Sequence, residues 1–274
     1  MSPCSSPNGR RPETMTATPD QLRCFQENGY FIAERLFDDE EMDLLRKIAR
    51  MDEALCREAA SRRDGQGGTI KLTVHNELNE DIYAAFVRCR RIVDAMEALL
   101  GGEVYHYHHK MILKEPLTGG AWEWHQDYGY WYNNGCLYPL LASCMVAVDR
   151  ATRENGCLQV LKGSHHLGRI EHGKVGDQTG ADPERVQAAL ERLELVQCEL
   201  EIGSAIFFHC NLLHASAQNH SPHPRWAFIC CYNAARNNPY KESRHPHDSY
   251  LEKWPDSRIK EIGRWQWESM AAAH

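Results

Sequence analysis

The run VYHYHHKMILKEPLTGGAWEWHQD, residues 104–127, decides how this chain folds. Its first half is rich in aromatic and branched apolar side chains, and its second half follows the turn signal Gly119-Gly120, so we predict strands over 104–114 and 120–125. Side chains on a strand alternate between faces, and residues two apart project the same way. His125 and Asp127 are therefore expected to bind one metal ion together, with Gln126 pointing away from it.

The chain continues beyond this run as short apolar segments separated by turn signals such as Asn155-Gly156 and Gly203-Ser204. Further strands are predicted at 142–148, 158–161, 205–208 and 226–232. Short strands separated by turns are typical of a sandwich or barrel. We therefore expect a mainly β fold, a jelly roll with helices packed outside it.

Helical patterns dominate the N-terminal side of this run. The predicted elements are a helix from Pro19 that ends at Gly29, a helix capped by Asp38 or Asp39, a flexible loop at 62–68, a strand at 70–74 and a helix at 81–100. A further helix is predicted from Asp182, with Pro183 in its first turn, to Leu193.

The domain organisation follows from these elements. Residues 1–18 contain hardly any large apolar side chain, so they are expected to form a disordered tail. The remainder is expected to be a single domain (19–274) with a helical region at 19–103, a jelly-roll core at 104–236, a candidate lid at 168–199 and a covering segment at 237–274.

A third metal ligand and an anion-binding group follow downstream. His214 comes after the strand at 205–208, in a predicted loop, and Arg225 starts the next strand. Two histidines and one carboxylate on one face of a metal form the arrangement associated with non-heme Fe(II) oxygenases. A guanidinium recognises a carboxylate through two hydrogen bonds, so Arg225 near the metal indicates an acidic cosubstrate.

A rival cluster, His106, His108 and His109, also has strand spacing. No carboxylate at a suitable spacing accompanies it, so we interpret these histidines as buried strand residues or as supports of the metal site.

Several motifs in the same order resemble the phytanoyl-CoA dioxygenase family, which includes ectoine hydroxylase. They cover roughly residues 19 to 236 and are the pattern Phe25, Gly29-Tyr30 and Leu36-Phe37, then Trp124-His125-Gln126-Asp127, Glu154-Asn155-Gly156-Cys157-Leu158, Gly163-Ser164-His165, and the run from His214 through Ser216, Asn219 and Ser221 to Arg225.

The resemblance implies a double-stranded β-helix, the cupin-like form of the jelly roll. It implies Fe(II) bound by His125, Asp127 and His214, and 2-oxoglutarate that chelates the iron while Arg225 pairs with its far carboxylate. O2 would oxidise this cosubstrate to succinate and CO2, with hydroxylation of an unactivated C–H bond of a small molecule. A halogenase of this fold would lack the carboxylate ligand, so Asp127 favours hydroxylation.

Further cosubstrate contacts implied by the resemblance are Lys71, either Lys114 or Met111, and Ser216. Lys110 lies next to Met111, and a one-residue error in register would exchange the two. The aromatic run after the metal motif indicates a substrate pocket, and Met145 replaces a tryptophan of relatives. The candidate pocket residues are Tyr128, Tyr130, Trp131 and Met145.

Composition excludes several other functions. The formal net charge is -7 and no basic block is present, so no nucleic-acid partner is expected. No apolar stretch is long enough to span a bilayer, and the eleven scattered cysteines fit reduced thiols in the cytoplasm. We expect a monomer or homodimer acting on a small polar metabolite or natural-product intermediate. The alternatives are a cupin-type metal enzyme that does not use 2-oxoglutarate and a catalytically silent binding module.

Overall fold

The computed structural model describes residues 17–64, 67–175 and 177–273. The helices are α1 (Pro19–Asn28), α2 (Asp39–Met51), α3 (Glu53–Glu58), α4 (Ile82–Arg88), α5 (Arg90–Leu100), α6 (Asp127–Trp131), α7 (Pro183–Leu190) and α8 (Arg258–Ala273). The strands are β1 (Tyr30–Ala33), β2 (Ala60–Arg63), β3 (Thr69–His75), β4 (Val104–Lys114), β5 (Trp122–His125), β6 (Leu141–Ala147), β7 (Leu158–Leu161), β8 (His172–Val175), β9 (Gln178–Ala181), β10 (Leu195–Cys198), β11 (Ala205–His209), β12 (His214–Ser216) and β13 (Arg225–Ala234).

Two antiparallel sheets form the jelly roll, which confirms the predicted fold. The large sheet has the strand order β1-β11-β6-β13-β4-β3-β2, and the small sheet has the order β10-β7-β12-β5. A separate hairpin consists of β8 and β9. Strands that are neighbours in the sheets are mostly distant in sequence, so His125 on β5 and the downstream His214 on β12 become adjacent.

The large sheet separates two apolar layers. Met111 and Phe228 point to its outer face, where they pack with the helices, while Ile229 and Met145 point between the sheets. The outer layer contains close aromatic contacts, with the ring centroids of Phe37 and Phe86 4.6 Å apart. Because side chains alternate along a strand, every second residue of β13 faces the interior of the barrel. In β4 a shift of register opposite Cys231 and Tyr232 interrupts the alternation, so that Tyr105 and Tyr107 face inward but Met111 and Leu113 face outward.

The start of the folded chain is fixed by a helix cap. Thr18 accepts a hydrogen bond from the backbone of Gln21 at 3.2 Å, and the Gln21 side chain accepts one from Thr18. Gly29 ends α1 with a φ of 84°, as the sequence predicted. The predicted tail is therefore too long, because Ala17 and Thr18 belong to the folded part of the chain. Its residues 1–16 lie outside the described part of the chain.

Three predictions for the N-terminal half were wrong in part. The helix expected at 81–100 is interrupted at Cys89, where the backbone is extended. The backbone of Trp254 forms hydrogen bonds with the residues on both sides of Cys89. Its amide donates to Arg88 O at 2.9 Å, and its carbonyl accepts from the Arg90 amide at 3.2 Å. The loop expected at 62–68 begins later, since Arg62 and Arg63 belong to β2. Residues 19–103, expected to be mainly helical, also supply β1 and β2 to the large sheet, besides β3, which corresponds to the strand predicted at 70–74.

The candidate lid at 168–199 contains the β8–β9 hairpin, α7 and β10. Asp182 caps α7 by accepting from the Arg185 amide at 3.0 Å, as expected, but the helix ends at Leu190 rather than Leu193. β10 pairs with β7, so the end of this segment belongs to the small sheet. Among the described residues, no helix is both long enough and apolar enough to cross a membrane.

Candidate active site

His125, Asp127 and His214 come together inside the barrel. Each offers one ligand atom, these atoms all lie within 4.8 Å of one another, and all three side chains are buried. The local geometry differs from the expected one. β5 ends at His125, Asp127 is the first residue of α6, and His214 lies on β12 directly opposite His125 instead of in a loop. The helical turn after the strand brings the carboxylate to the two imidazoles.

Backbone carbonyls fix the orientation of both imidazoles. The Nδ1 atom of His125 lies 2.8 Å from Glu123 O, and that of His214 lies 2.8 Å from Leu212 O. A carbonyl can only accept, so Nδ1 carries the proton and Nε2 presents its lone pair to the site. Burial lowers the pKa of both histidines, more strongly for His125, where the neighbouring His214 adds to the effect. Both rings are therefore neutral and ready to bind a metal.

Asp127 is held by a neighbouring hydroxyl and lies near a lysine. Ser143 Oγ donates to Asp127 Oδ2 at 3.1 Å, and Lys110 Nζ lies 3.7 Å from Asp127 Oδ1. Burial by itself would lower the pKa of Lys110, but the attraction of Asp127 raises it above its ordinary value. Gln126 points away from the site, as predicted, and bonds to backbone atoms of Gly168 and Asn211 at 2.8 Å each.

A cavity leads from the metal ligands between the two sheets. Besides the triad, its polar or aromatic lining residues are Lys110, Trp122, Tyr130, Ser216 and Arg225. The rest of the wall is apolar and consists of Ile70, Leu72, Ile112, Met145, Leu158, Phe208, Ala215 and Ile229. A largely apolar pocket with a few polar groups is typical of a site for a small molecule.

Arg225 provides a cation in the wall of this cavity. It is buried, and its Nε and Nη2 atoms donate to Gly156 O at 3.1 and 2.6 Å. Burial lowers the pKa of Arg225 to about 10, so the guanidinium is charged at neutral pH. Lys114 Nζ donates to Ser216 Oγ at 2.9 Å and to Ala217 O nearby. Burial, together with the neighbouring Arg225, lowers the pKa of Lys114 well below its ordinary range.

The predicted cosubstrate contacts are only partly brought together. Ser216 lines the cavity beside Arg225, and Lys114 lies directly behind it without lining the cavity. The predictions that Lys71 and Met111 contact the cosubstrate are wrong. Lys71 is exposed because its neighbours Ile70 and Leu72 take the inward positions of β3, and Met111 packs under the helices.

Two of the four residues predicted for the substrate pocket line this cavity. Tyr130 and Met145 line the cavity, whereas Tyr128 and Trp131 do not. Since α6 turns at this point, the Tyr128 hydroxyl donates to Leu137 O at 2.6 Å, and the Trp131 ring packs edge-on against Tyr107.

The rival histidines lie away from the cavity lining. The Nδ1 atom of His109 is 3.1 Å from Nε2 of His106, and all three of His106, His108 and His109 are buried. Among the described residues, the triad is the one group of three potential metal ligands this close together.

Sequence reasoning missed four contributors to the site. Lys110 enters the sequence prediction only as the residue that a one-residue error in register would exchange with Met111. In the structure Lys110 and Ile112 face inward, and Met111 faces outward. Trp122 could have been found because it lies on the metal-binding strand. Ser143 and the Gly156 carbonyl carried no local signal, since they meet the site only through sheet pairing and a turn.

Residues 25–227 match the family described as phytanoyl-CoA dioxygenase (PhyH). The match covers more than half of the chain, and the chain belongs to this family. The ectoine dioxygenase of Bordetella parapertussis strain 12822 is 28% identical over 249 residues, which cover 85% of this chain and 81% of that protein. The L-proline trans-4-hydroxylase of Streptomyces griseoviridis is 29% identical over 221 residues, covering 74% and 82% respectively.

The fold has a counterpart among solved structures. The crystal structure of EctD from S. alaskensis with 2-oxoglutarate and 5-hydroxyectoine superposes with a TM-score of 0.74 at 24% identity, covering 87% of each chain. The chain is an Fe(II)- and 2-oxoglutarate-dependent dioxygenase that uses O2 and hydroxylates its substrate. The donor set fits the metal, because two neutral imidazoles and a carboxylate suit non-heme Fe(II).

Proposed function

We propose that His125, Asp127 and His214 hold the Fe(II), and that Arg225 binds the far carboxylate of 2-oxoglutarate with support from Ser216 and Lys114. The observation that carries this assignment is that the triad and the buried guanidinium line one cavity. A metal held by the triad and the Arg225 guanidinium would offer two separate binding points in that cavity. This suits a cosubstrate with an oxo acid at one end and a carboxylate at the other. Neither alternative from the sequence explains this buried cation as well.

The chain's own residues have three tasks in this mechanism. When bound, the iron supplies the redox chemistry that couples O2 and 2-oxoglutarate to C–H hydroxylation. The carbonyls of Glu123 and Leu212 hold the imidazoles in the required tautomer, and Ser143 orients the Asp127 carboxylate. The apolar wall excludes water, which strengthens the pairing of Arg225 with its ligand and protects the reacting centre.

We propose that the substrate is a small polar molecule. The relatives are named for ectoine and L-proline, both small ring compounds, and Tyr130, Trp122 and Met145 line the cavity. The β8–β9 hairpin is the part of the predicted lid that contacts the site, because Tyr130 Oη donates to Thr179 O at 2.6 Å and the Gln126 amide donates to His172 Nε2 at 2.9 Å.

The test is succinate formation from 2-oxoglutarate by the purified chain with Fe(II) and O2. We expect succinate with wild-type protein and at most traces with Asp127→Ala, whose remaining two histidines bind the metal weakly. The Gln218→Ala variant serves as a control, because this side chain bonds to Asp64 at 2.8 Å and lies outside the cavity. Wild-type protein that binds neither Fe(II) nor 2-oxoglutarate would refute the assignment.

The setting of the enzyme is also a proposal. Apart from Cys24, the cysteines in the described ranges are nine free thiols, eight of them buried, which suits a reducing compartment such as the cytoplasm. We propose that residues 19–274 form a single oxygenase domain that acts as a monomer or homodimer without a nucleic-acid partner.

A further inference from the structure

Lys110 presents a second cation to the cavity, close to the metal ligands. Its side chain is only 18% exposed and lines the cavity with Ile112 and Met145. Among the residues that the structure describes, Asp127 is the one carboxylate within ion-pair distance, at 3.7 Å. The main charge partner of Lys110 is therefore a residue that we assign to the metal.

Metal binding leaves this lysine without full compensation. A carboxylate that donates to Fe(II) shares its charge with the ion, so its attraction for a neighbouring ammonium falls. The other titratable groups that interact with Lys110 are the proposed ligands His125 and His214, then His108, His245 and the Cys231 thiol, and none of them is an anion. Burial keeps His108 and His245 neutral by lowering their pKa values, that of His245 to about 4, and it raises the pKa of Cys231 to about 12. A mostly buried cation without an anion is costly, which favours an anionic ligand in this position.

The cosubstrate already has partners for both of its ends. In the proposed arrangement its oxo acid end lies on the metal and its far carboxylate on Arg225, which lines the cavity with Ser216. Lys110 is next to Asp127, and Ile112, the following residue of β4 that lines the cavity, is apolar. The group that remains to be matched with Lys110 belongs to the molecule being hydroxylated.

We propose that Lys110 binds a carboxylate of the substrate, so that this enzyme acts on a small carboxylic acid whose reactive C–H bond is held beside the metal. This inference rests on the proposed function and adds the substrate class and the residue that selects it. A small ring amino acid has both a carboxylate that can pair with Lys110 and an apolar ring that can pack against the apolar wall.

The experiment compares wild-type protein with Lys110→Met, Lys110→Arg and the control Lys162→Met. Methionine keeps much of the volume of lysine and removes the charge. Lys162 pairs with Glu194 at 3.2 Å on the surface, so its replacement removes a lysine–carboxylate pair away from the cavity. The protein is loaded with Fe(II) and 2-oxoglutarate without O2, and the charge-transfer absorption of the chelate reports binding. L-proline, L-pipecolic acid and L-valine are titrated, each beside the amine that lacks its carboxylate.

We expect at least one acid to perturb the absorption of the wild-type complex, and to bind about 10- to 100-fold more tightly than its amine, the range for a hydrogen bond to a charged group. Lys110→Met should abolish this preference, Lys110→Arg should retain part of it, and Lys162→Met should leave it unchanged. The affinity for 2-oxoglutarate should stay within about twofold in all variants.

Three results would overturn the inference. In the first, Lys110→Met weakens 2-oxoglutarate binding about tenfold, which assigns the lysine to the cosubstrate. In the second, acids and amines bind wild-type protein equally well, and in the third no acid perturbs the complex. In each of these cases the 2-oxoglutarate chelate still forms in wild-type protein, so the proposed function stands. If wild-type protein forms no chelate, the proposed function itself fails.

Discussion

Replacing Arg225 with methionine should remove most of the affinity for 2-oxoglutarate while leaving metal binding intact. Arg225 is buried, and two of its N–H groups are used on Gly156 O. The remaining N–H groups can form two hydrogen bonds with a carboxylate.

Each hydrogen bond to a charged group contributes about 1.5 to 3 kcal/mol, so the loss of two corresponds to about 3 kcal/mol or more, which is roughly 100-fold or more in Kd. Gly156 O also loses its donors, which destabilises the fold by about 1 to 3 kcal/mol. The stability of the variant is therefore measured by urea unfolding beside its binding.

The assay is an anaerobic titration of 2-oxoglutarate into Fe(II)-loaded protein, repeated with 2-oxobutyrate, which lacks the far carboxylate. Wild-type protein should prefer 2-oxoglutarate strongly, and Arg225→Met should bind the two oxo acids almost equally. Arg225→Lys should lie between them, since an ammonium keeps the charge without the planar pair of donors. The Arg153→Met variant, on the surface, is the charge control. A Kd for 2-oxoglutarate that changes less than about threefold in Arg225→Met would refute the reasoning, because two charged hydrogen bonds cannot be worth so little.

Three further predictions follow from the same contacts. Gly156→Ala should unfold at lower urea and bind 2-oxoglutarate more weakly, because the new Cβ would clash with Ala217 O. Gly168→Ala is the control, because it has a similar positive φ and no atom within 4 Å, so it should show the backbone strain alone; equal effects of the two variants on cosubstrate binding would contradict this. Ser143→Ala should weaken Fe(II) binding about 10-fold, because it removes the donor to Asp127, and a competition titration with a chelator that finds no change would remove Ser143 from the site. The metal-free protein should lose stability as the pH falls below about 6.5, because burial lowers the pKa of His106 to about 3 and the unfolded chain takes up the proton first. The loss is about 2 kcal/mol for this histidine at pH 5, and urea unfolding at pH 5 and 7.5 should show a smaller change in the free energy of unfolding for His106→Asn.

The pattern of residues was sufficient for much of the site. His125, Asp127, His214 and Arg225 were chosen from residue type, order and the resemblance of their surrounding motifs, and the structure places all four around one cavity. The jelly roll was predicted for the same reason, since short apolar runs separated by turns leave few other arrangements.

The errors came from positions where one residue of register decides the outcome. Met111 and Lys110 are neighbours on β4, and only the pairing of β4 with β3 and β13 determines which one faces the interior. The prediction for Lys71 on β3 is wrong for the same reason. Tyr128 and Trp131 do not line the cavity because the chain forms a helix directly after β5, so the two-residue period of a strand is replaced by a helical period.

The sequence by itself determined the chemistry of this protein, because metal ligands and a buried guanidinium depend on residue types that few other side chains can replace. The tertiary structure decided which neighbours complete the site. The break at Cys89 depends on backbone bonds to Trp254, the Asp127 carboxylate is supported by Ser143, and the cavity receives Lys110. These contacts join residues that are far apart in sequence or that differ by one position in register, and local propensity contains no information about either.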